Sequence, residues 1–80
     1  MKSLQLYSRP GCHLCEELAE ALAPIIRGRA RLEIIDIDAD LALKKQYGLR
    51  IPVLVGDGQE LPALPLDAAA IEAYLASANG

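Results

Sequence analysis

The 80-residue chain contains no tryptophan and no phenylalanine, only three tyrosines, two cysteines and one histidine. Eight lysines and arginines stand against eleven aspartates and glutamates, a net charge of −3. With so few aromatic rings and no cationic excess, the sequence lacks the basic, base-stacking surface of a nucleic-acid binder. No stretch approaches the roughly 20 apolar residues of a membrane span, so no membrane partner is expected. The opening Met1-Lys2-Ser3-Leu4-Gln5-Leu6-Tyr7 alternates and then meets Arg9 and Pro10, without the unbroken apolar run of a signal peptide. A cytoplasmic location is the expectation. In that compartment two nearby cysteines are more often catalytic or metal-binding than a structural staple. Repeats, linkers and low-complexity tracts are also missing, and the length suits one small domain over residues 1–80 whose hydrophobic core is only just sufficient.

What the chain does have is a 52% apolar content carried mostly by Ala, Leu, Ile and Val, in patterns that change period. Leu4 and Leu6 alternate with polar neighbours, predicting a first strand that ends near Ser8. Pro10 and Gly11 turn the chain, and from Cys12 the spacing is helical. Leu14, Leu18 and Leu22 recur every four residues as far as Pro24 to Gly28, with Glu16, Glu17 and Glu20 in the early turns. Leu32–Ile37 reads as a second strand whose β-branched run implies burial on both faces. Asp38 or Asp40 caps a helix to Tyr47, with Gly48 as a left-handed stop. Ile51–Val55, the turn Gly56-Asp57-Gly58 and Gln59–Leu61 make a hairpin, and Asp67 caps a last helix with Ile71, Tyr74 and Leu75 on one stripe. The order β-α-β-α-β-β-α predicts an α/β fold: a mixed four-stranded sheet covered by helices.

Cys12 and Cys15 fall where the first strand hands over to the first helix, the end of a parallel strand at which open α/β sheets place their chemistry. Thiol-disulfide exchange needs two thiols at this spacing, one to attack a disulfide and one to resolve the mixed intermediate. The unpaired N–H groups at a helix start favour an anion on Cys12 and lower its pKa from the free value of about 8.5. A fall to about 7 raises the thiolate fraction roughly 16-fold, while reduced nucleophilicity takes back about 5-fold. The net gain in attack is only about threefold, so a low pKa matters at least as much in making Cys12 a good leaving group. Cys15, one turn further in, is expected to be the less exposed.

Other readings of the pair are weaker. A disulfide closing a four-residue loop is worth about 2 kcal/mol, against about 4 for a fifty-residue loop, so a staple is poorly placed here. Tetrahedral zinc wants four ligands, and the only histidine, His13, lies between the cysteines; two chains sharing a metal or an iron-sulfur cluster remain an alternative, as does a redox-sensing interaction module. His13 either supports a thiolate by its positive charge or is an exposed helix-start residue without a role. Arg9 either attracts an anionic substrate group or is a solvated loop charge. Pro52 opens a strand from which it can donate no ladder bond, which calls for a special reason. The base rate of X-Pro bonds favours trans there.

Taken together, Tyr7-Ser8-Arg9-Pro10-Gly11-Cys12-x-x-Cys15 and Tyr47-Gly48-Leu49-Arg50-Ile51-Pro52-Val53 resemble the glutaredoxin-like branch of the thioredoxin superfamily over essentially the whole chain. The resemblance implies a minimal thioredoxin fold, Cys12 as nucleophile and Cys15 as resolving thiol. It implies a cis peptide at Ile51-Pro52, with Ile51 backbone groups pairing to substrate like an added strand. Arg9 falls where glutaredoxins often carry a basic residue. Three departures matter. His13 and Leu14 replace the usual proline and aromatic between the cysteines, Leu6 stands where thioredoxins bury an aspartate, and Leu61-Pro62-Ala63-Leu64-Pro65-Leu66 replaces the glycine pair and acidic cluster that hold glutathione. The expected activity is that of a monomeric thiol-disulfide oxidoreductase with no tightly bound cofactor. Its partners are a disulfide-containing protein or a low-molecular-weight thiol, and a reductase or glutathione as electron donor, the last weakened by the missing glycine pair. The segment Leu61–Leu66 is read as packing the last helix onto the sheet, with an apolar docking rim as the alternative.

Overall fold

The alternation near the N-terminus becomes β1 (Lys2–Ser8), in which Leu4 and Leu6 are buried and Ser3 is exposed. The computed structural model describes residues 2–77. After β1 follow α1 (His13–Ile26), β2 (Ala30–Asp36), a single 3₁₀ turn (Ile37–Ala39), α2 (Leu41–Tyr47), β3 (Val53–Gly56), β4 (Gln59–Leu61) and α3 (Ala68–Ala76). The sheet runs β2-β1-β3-β4, with β1 and β2 parallel and the other pairs antiparallel. This is the expected mixed four-stranded architecture, with the 3₁₀ turn as its one addition.

One face of the sheet carries the core. Leu4 and Leu6 of β1 and Leu54 of β3 meet Leu18, Leu22 and Ile26 of α1 and Ile71 of α3. The four-residue spacing of the α1 residues places them on one helical stripe, which is why that stripe is the buried one. Leu61, Ala63 and Leu66 pack against the same core, so the segment after β4 does hold α3 to the sheet, while Leu64 stays 56% exposed. The opposite face is closed by aromatic stacking: Tyr7 lies on Tyr47 from the end of α2, with ring centroids 4.4 Å apart.

Local chemistry explains the ends of the elements. Asp40 rather than Asp38 caps α2, its carboxylate accepting the Ala42 N–H at 2.9 Å, and Asp67 caps α3 through the Ala70 N–H at 3.2 Å. Asp57 and Gly58 take φ of 52° and 77°, the left-handed pair of a two-residue hairpin turn.

Two expectations are corrected. Gly48 has φ −51° and ψ −37°, right-handed and not left-handed. The chain leaves α2 by tightening, with the N–H groups of Arg50 and Ile51 both donating to the Tyr47 carbonyl. Glycine is required there because a Cβ would stand 2.5 Å from the Lys44 carbonyl oxygen. Nor is β2 buried on both faces: none of its residues is buried, and Ile34 is 58% exposed. The reason is position, since β2 lies at the sheet edge and pairs only with β1. Of the isoleucines in this run the wholly buried one is Ile37, one residue past the strand.

Tyr74 ties three elements together. Its hydroxyl donates to the Ser3 carbonyl at 2.6 Å, and its ring lies so close to Gly56 that a Cβ there would meet it at 2.6 Å. Burial first, and the neighbouring Asp57 carboxylate second, raise the Tyr74 pKa above its ordinary value. The folded state therefore holds this proton more tightly than the unfolded chain does. The associated stability is intact below the unfolded pKa of about 10 and falls as pH rises past it. Tyr74→Phe is expected to cost about 1 kcal/mol at pH 7 through the lost hydrogen bond. It should also flatten part of the alkaline decline. Urea melts at neutral and alkaline pH check both effects, and an unchanged alkaline slope would contradict the assignment.

Candidate active site

The junction between β1 and α1 is built by a short turn. Gly11 takes φ 81°, and the Cys12 N–H reaches back to the Arg9 carbonyl at 3.3 Å. Cys12 then has extended backbone and serves as the N-cap of α1: its carbonyl accepts from Glu16 N–H at 3.1 Å, and its Sγ accepts from Cys15 N–H at 3.1 Å. Cys12 and Cys15 are joined by a disulfide, their Cα atoms 5.2 Å apart. Cys15 is 3% exposed, whereas Cys12 is only half-buried. The outer sulfur thus sits on a free helix N–H at the positive end of the macrodipole, the position that stabilises a sulfur anion once the bond is opened. The inner sulfur lies against it, sheltered from solvent.

The remaining sequence-selected residues surround this junction unevenly. His13 is 92% exposed, and its Nδ1 lies 3.6 Å from Glu16 Oε2. Arg9 donates to Asp38 Oδ1 at 3.2 Å, tying the turn before Cys12 to the 3₁₀ turn after β2. The Ile51–Pro52 peptide is cis, as is Leu64–Pro65. Pro52 is buried, and Val53 beside it pairs with Tyr7, which sets the proline level with the end of β1. The Ile51 N–H already donates to the Tyr47 carbonyl at 3.1 Å, so strand-like pairing of a substrate through that N–H requires this bond to open.

On the β2 side of the disulfide lies a pocket of about 320 Å³. Its helix wall is Cys12, Cys15, Glu16 and Ala19, and its floor holds Leu6 and Ser8 of β1 with Ile34 and Asp36 of β2. Sequence reasoning missed Ser8, Ile34 and Asp36 as site residues. The signal was present in part: positions 12, 15, 16 and 19 share one helix face, and in register Leu6 pairs with Ile34 and Ser8 with Asp36. Among the described residues no group of three or more His, Cys, Asp or Glu side chains gathers as a metal site, so a metal here would need ligands from a second chain. No helix among them is long and apolar enough to cross a membrane.

Residues 3–76 match the model of the glutaredoxin-like domain (DUF836). The chain belongs to the glutaredoxin-like domain family. The X-ray structure of a Northeast Structural Genomics target protein from X. campestris is 45% identical, with a TM-score of 0.69, covering 90% of this chain and 93% of that one. Its solution structure gives a TM-score of 0.71 over 94% and 92%. Proteins of Mycobacterium tuberculosis and Mycobacterium bovis, each described as uncharacterized, are 33% identical in a 64-residue alignment that covers 71% of this chain. The chain spans 65% of the length of these curated relatives. A glutaredoxin-like domain with a minimal thioredoxin-like fold and a Cys12–Cys15 disulfide fits a redox function.

Proposed function

We propose that this glutaredoxin-like protein is a thiol-disulfide oxidoreductase in which Cys12 attacks and Cys15 resolves. The observation that supports it is the placement of the two sulfurs: Cys12 Sγ half-exposed on the Cys15 N–H, and Cys15 buried directly behind it. In the reduced protein the Cys12 thiolate attacks one sulfur of a substrate disulfide. A Cys12–substrate disulfide forms and one substrate thiolate leaves. Cys15, losing its proton, attacks Cys12 Sγ, closes the Cys12–Cys15 bond and expels the second substrate thiolate. Two electrons pass from the protein dithiol to the substrate, and the protons from the two protein thiols end on the two product thiols. Arg9, held by Asp38, and Pro52 shape the approach to Cys12, while His13 modulates its anion through solvent. The protein works as a monomer in the cytoplasm.

Mixing pre-reduced protein with one equivalent of hydroxyethyl disulfide is expected to yield two free thiols per disulfide and a closed Cys12–Cys15 bond. Absence of thiol release, or a permanent mixed disulfide on the native protein, overturns the proposal. Repeating the cycle under turnover with glutathione alone, and then with a thioredoxin-type reductase alone, identifies the donor. Because Leu61, Ala63 and Leu66 are packed onto the core, in the segment where the glutaredoxin resemblance would call for a glycine pair, the reductase is expected to sustain the faster turnover.

A further inference from the structure

The pocket on the β2 side of the disulfide has a chemistry of its own. Its floor is aliphatic, and Ile34, an edge-strand isoleucine 58% exposed, has no covering element. Its rim carries two carboxylates. Asp36 uses one oxygen to accept the Asp38 N–H at 2.9 Å and has no cationic partner among the described residues. Glu16 has only His13, at 3.6 Å. Arg9 also reaches this pocket, but its charge is offset by Asp38 at 3.2 Å. Ser8 lines the pocket as well, and its hydroxyl bonds to no described residue and is available to a ligand. The buried polar atom without a partner among the described residues at this pocket is Arg9 Nε, a donor that a carbonyl oxygen of a bound polypeptide would satisfy.

An aliphatic floor, a waiting hydroxyl and an acidic rim together complement one kind of side chain: a long apolar stem ending in a cation. We infer that this pocket is a specificity subsite for a lysine or arginine next to the attacked cysteine of a polypeptide disulfide. The inference rests on the exchange reading above, because the pocket has both Cys12 and Cys15 in its wall. The stem lies on Ile34, Leu6 and Ala19, the cationic head bonds Asp36 and Glu16, and the Ser8 hydroxyl accepts from it. The net charge of −3 favours the encounter with such a partner.

The test uses three symmetric peptide disulfides, Ser-Gly-Cys-Xaa-Gly-Ser, with Xaa lysine, glutamine or glutamate. Single-turnover oxidation of the pre-reduced protein is timed with each. Every rate is divided by that of dithiothreitol with the same peptide, which removes the intrinsic effect of charge on the disulfide. Exposed ion pairs are individually weak, so two of them predict a preference of about fivefold for lysine over glutamine, with glutamate slowest. In Glu16→Gln/Asp36→Asn the ratio is expected to fall to near one. Asparagine still accepts the Asp38 N–H, which preserves the turn. In the unsubstituted protein the preference should also collapse at roughly 0.5 M salt, a readout that needs no variant. Equal normalised rates for lysine and glutamine, or a preference that survives the double substitution, overturn the subsite while leaving the exchange reading intact. Failure to oxidise the protein with any of the peptides overturns both.

Discussion

Cys12→Ser is expected to reduce disulfide exchange to the uncatalysed background, a fall on the order of 10³-fold or more, because the attacking atom itself is gone. The substitution isolates chemistry from folding. Serine is among the best N-cap residues, and its Oγ can take the Cys15 N–H that Cys12 Sγ accepts at 3.1 Å. The helix start therefore survives, and loss of activity cannot be ascribed to loss of α1. Cys15→Ser should behave differently. Attack by Cys12 proceeds, the resolving step does not, and the substrate stays attached. Mass spectrometry should find one substrate thiol on Cys12, released by added dithiothreitol. Trapping on Cys15 in the Cys12→Ser variant, with Cys15→Ser still turning over, would reverse the two roles. The burial of Cys15 at 3% exposure is the physical reason to expect the order given.

Much of this fold is legible from residue spacing because its determinants are local. Alternation at Leu4 and Leu6, the turn at Asp57-Gly58 and the caps at Asp40 and Asp67 each act within a few residues. What escapes the sequence is set by distant neighbours. The isoleucines of β2 suggest burial, yet nothing in that run says that the strand lies at the edge. Gly48 looks like a left-handed stop until the Lys44 carbonyl is seen to occupy the space of a Cβ. At the site, the cysteine pair and the proline were readable as motifs. Arg9 was readable as a candidate, but its ion pair was not, because Asp38 lies 29 positions away, and the pocket residues Ser8, Ile34 and Asp36 acquire a common surface only through the β1–β2 register.

The leucines of α1 carry this point into energetics. Leu14, Leu18 and Leu22 recur with one period, and by spacing alone they are equivalent. In the fold Leu22 is 0% exposed and packed among the sheet leucines and Ile71, whereas Leu14, in the first turn beside the disulfide, is 51% exposed. Leu22→Ala removes buried methyl groups and leaves a cavity, costing about 3 kcal/mol. A domain of this length has roughly 4 to 12 kcal/mol in total, so the loss takes a large share and lowers the melting temperature by about 12 °C or more. Leu14→Ala, at the surface, should change stability by no more than about 0.5 kcal/mol. Both variants are to be melted in the reduced state, so that the disulfide does not mask the difference. Below its melting temperature Leu22→Ala should keep the exchange rate of the native protein, since the sulfurs are held by the first turn and not by the second half of the helix. A cost below about 1 kcal/mol for Leu22→Ala, or equal costs for the two leucines, would show that α1 does not seat on the sheet through the stripe described.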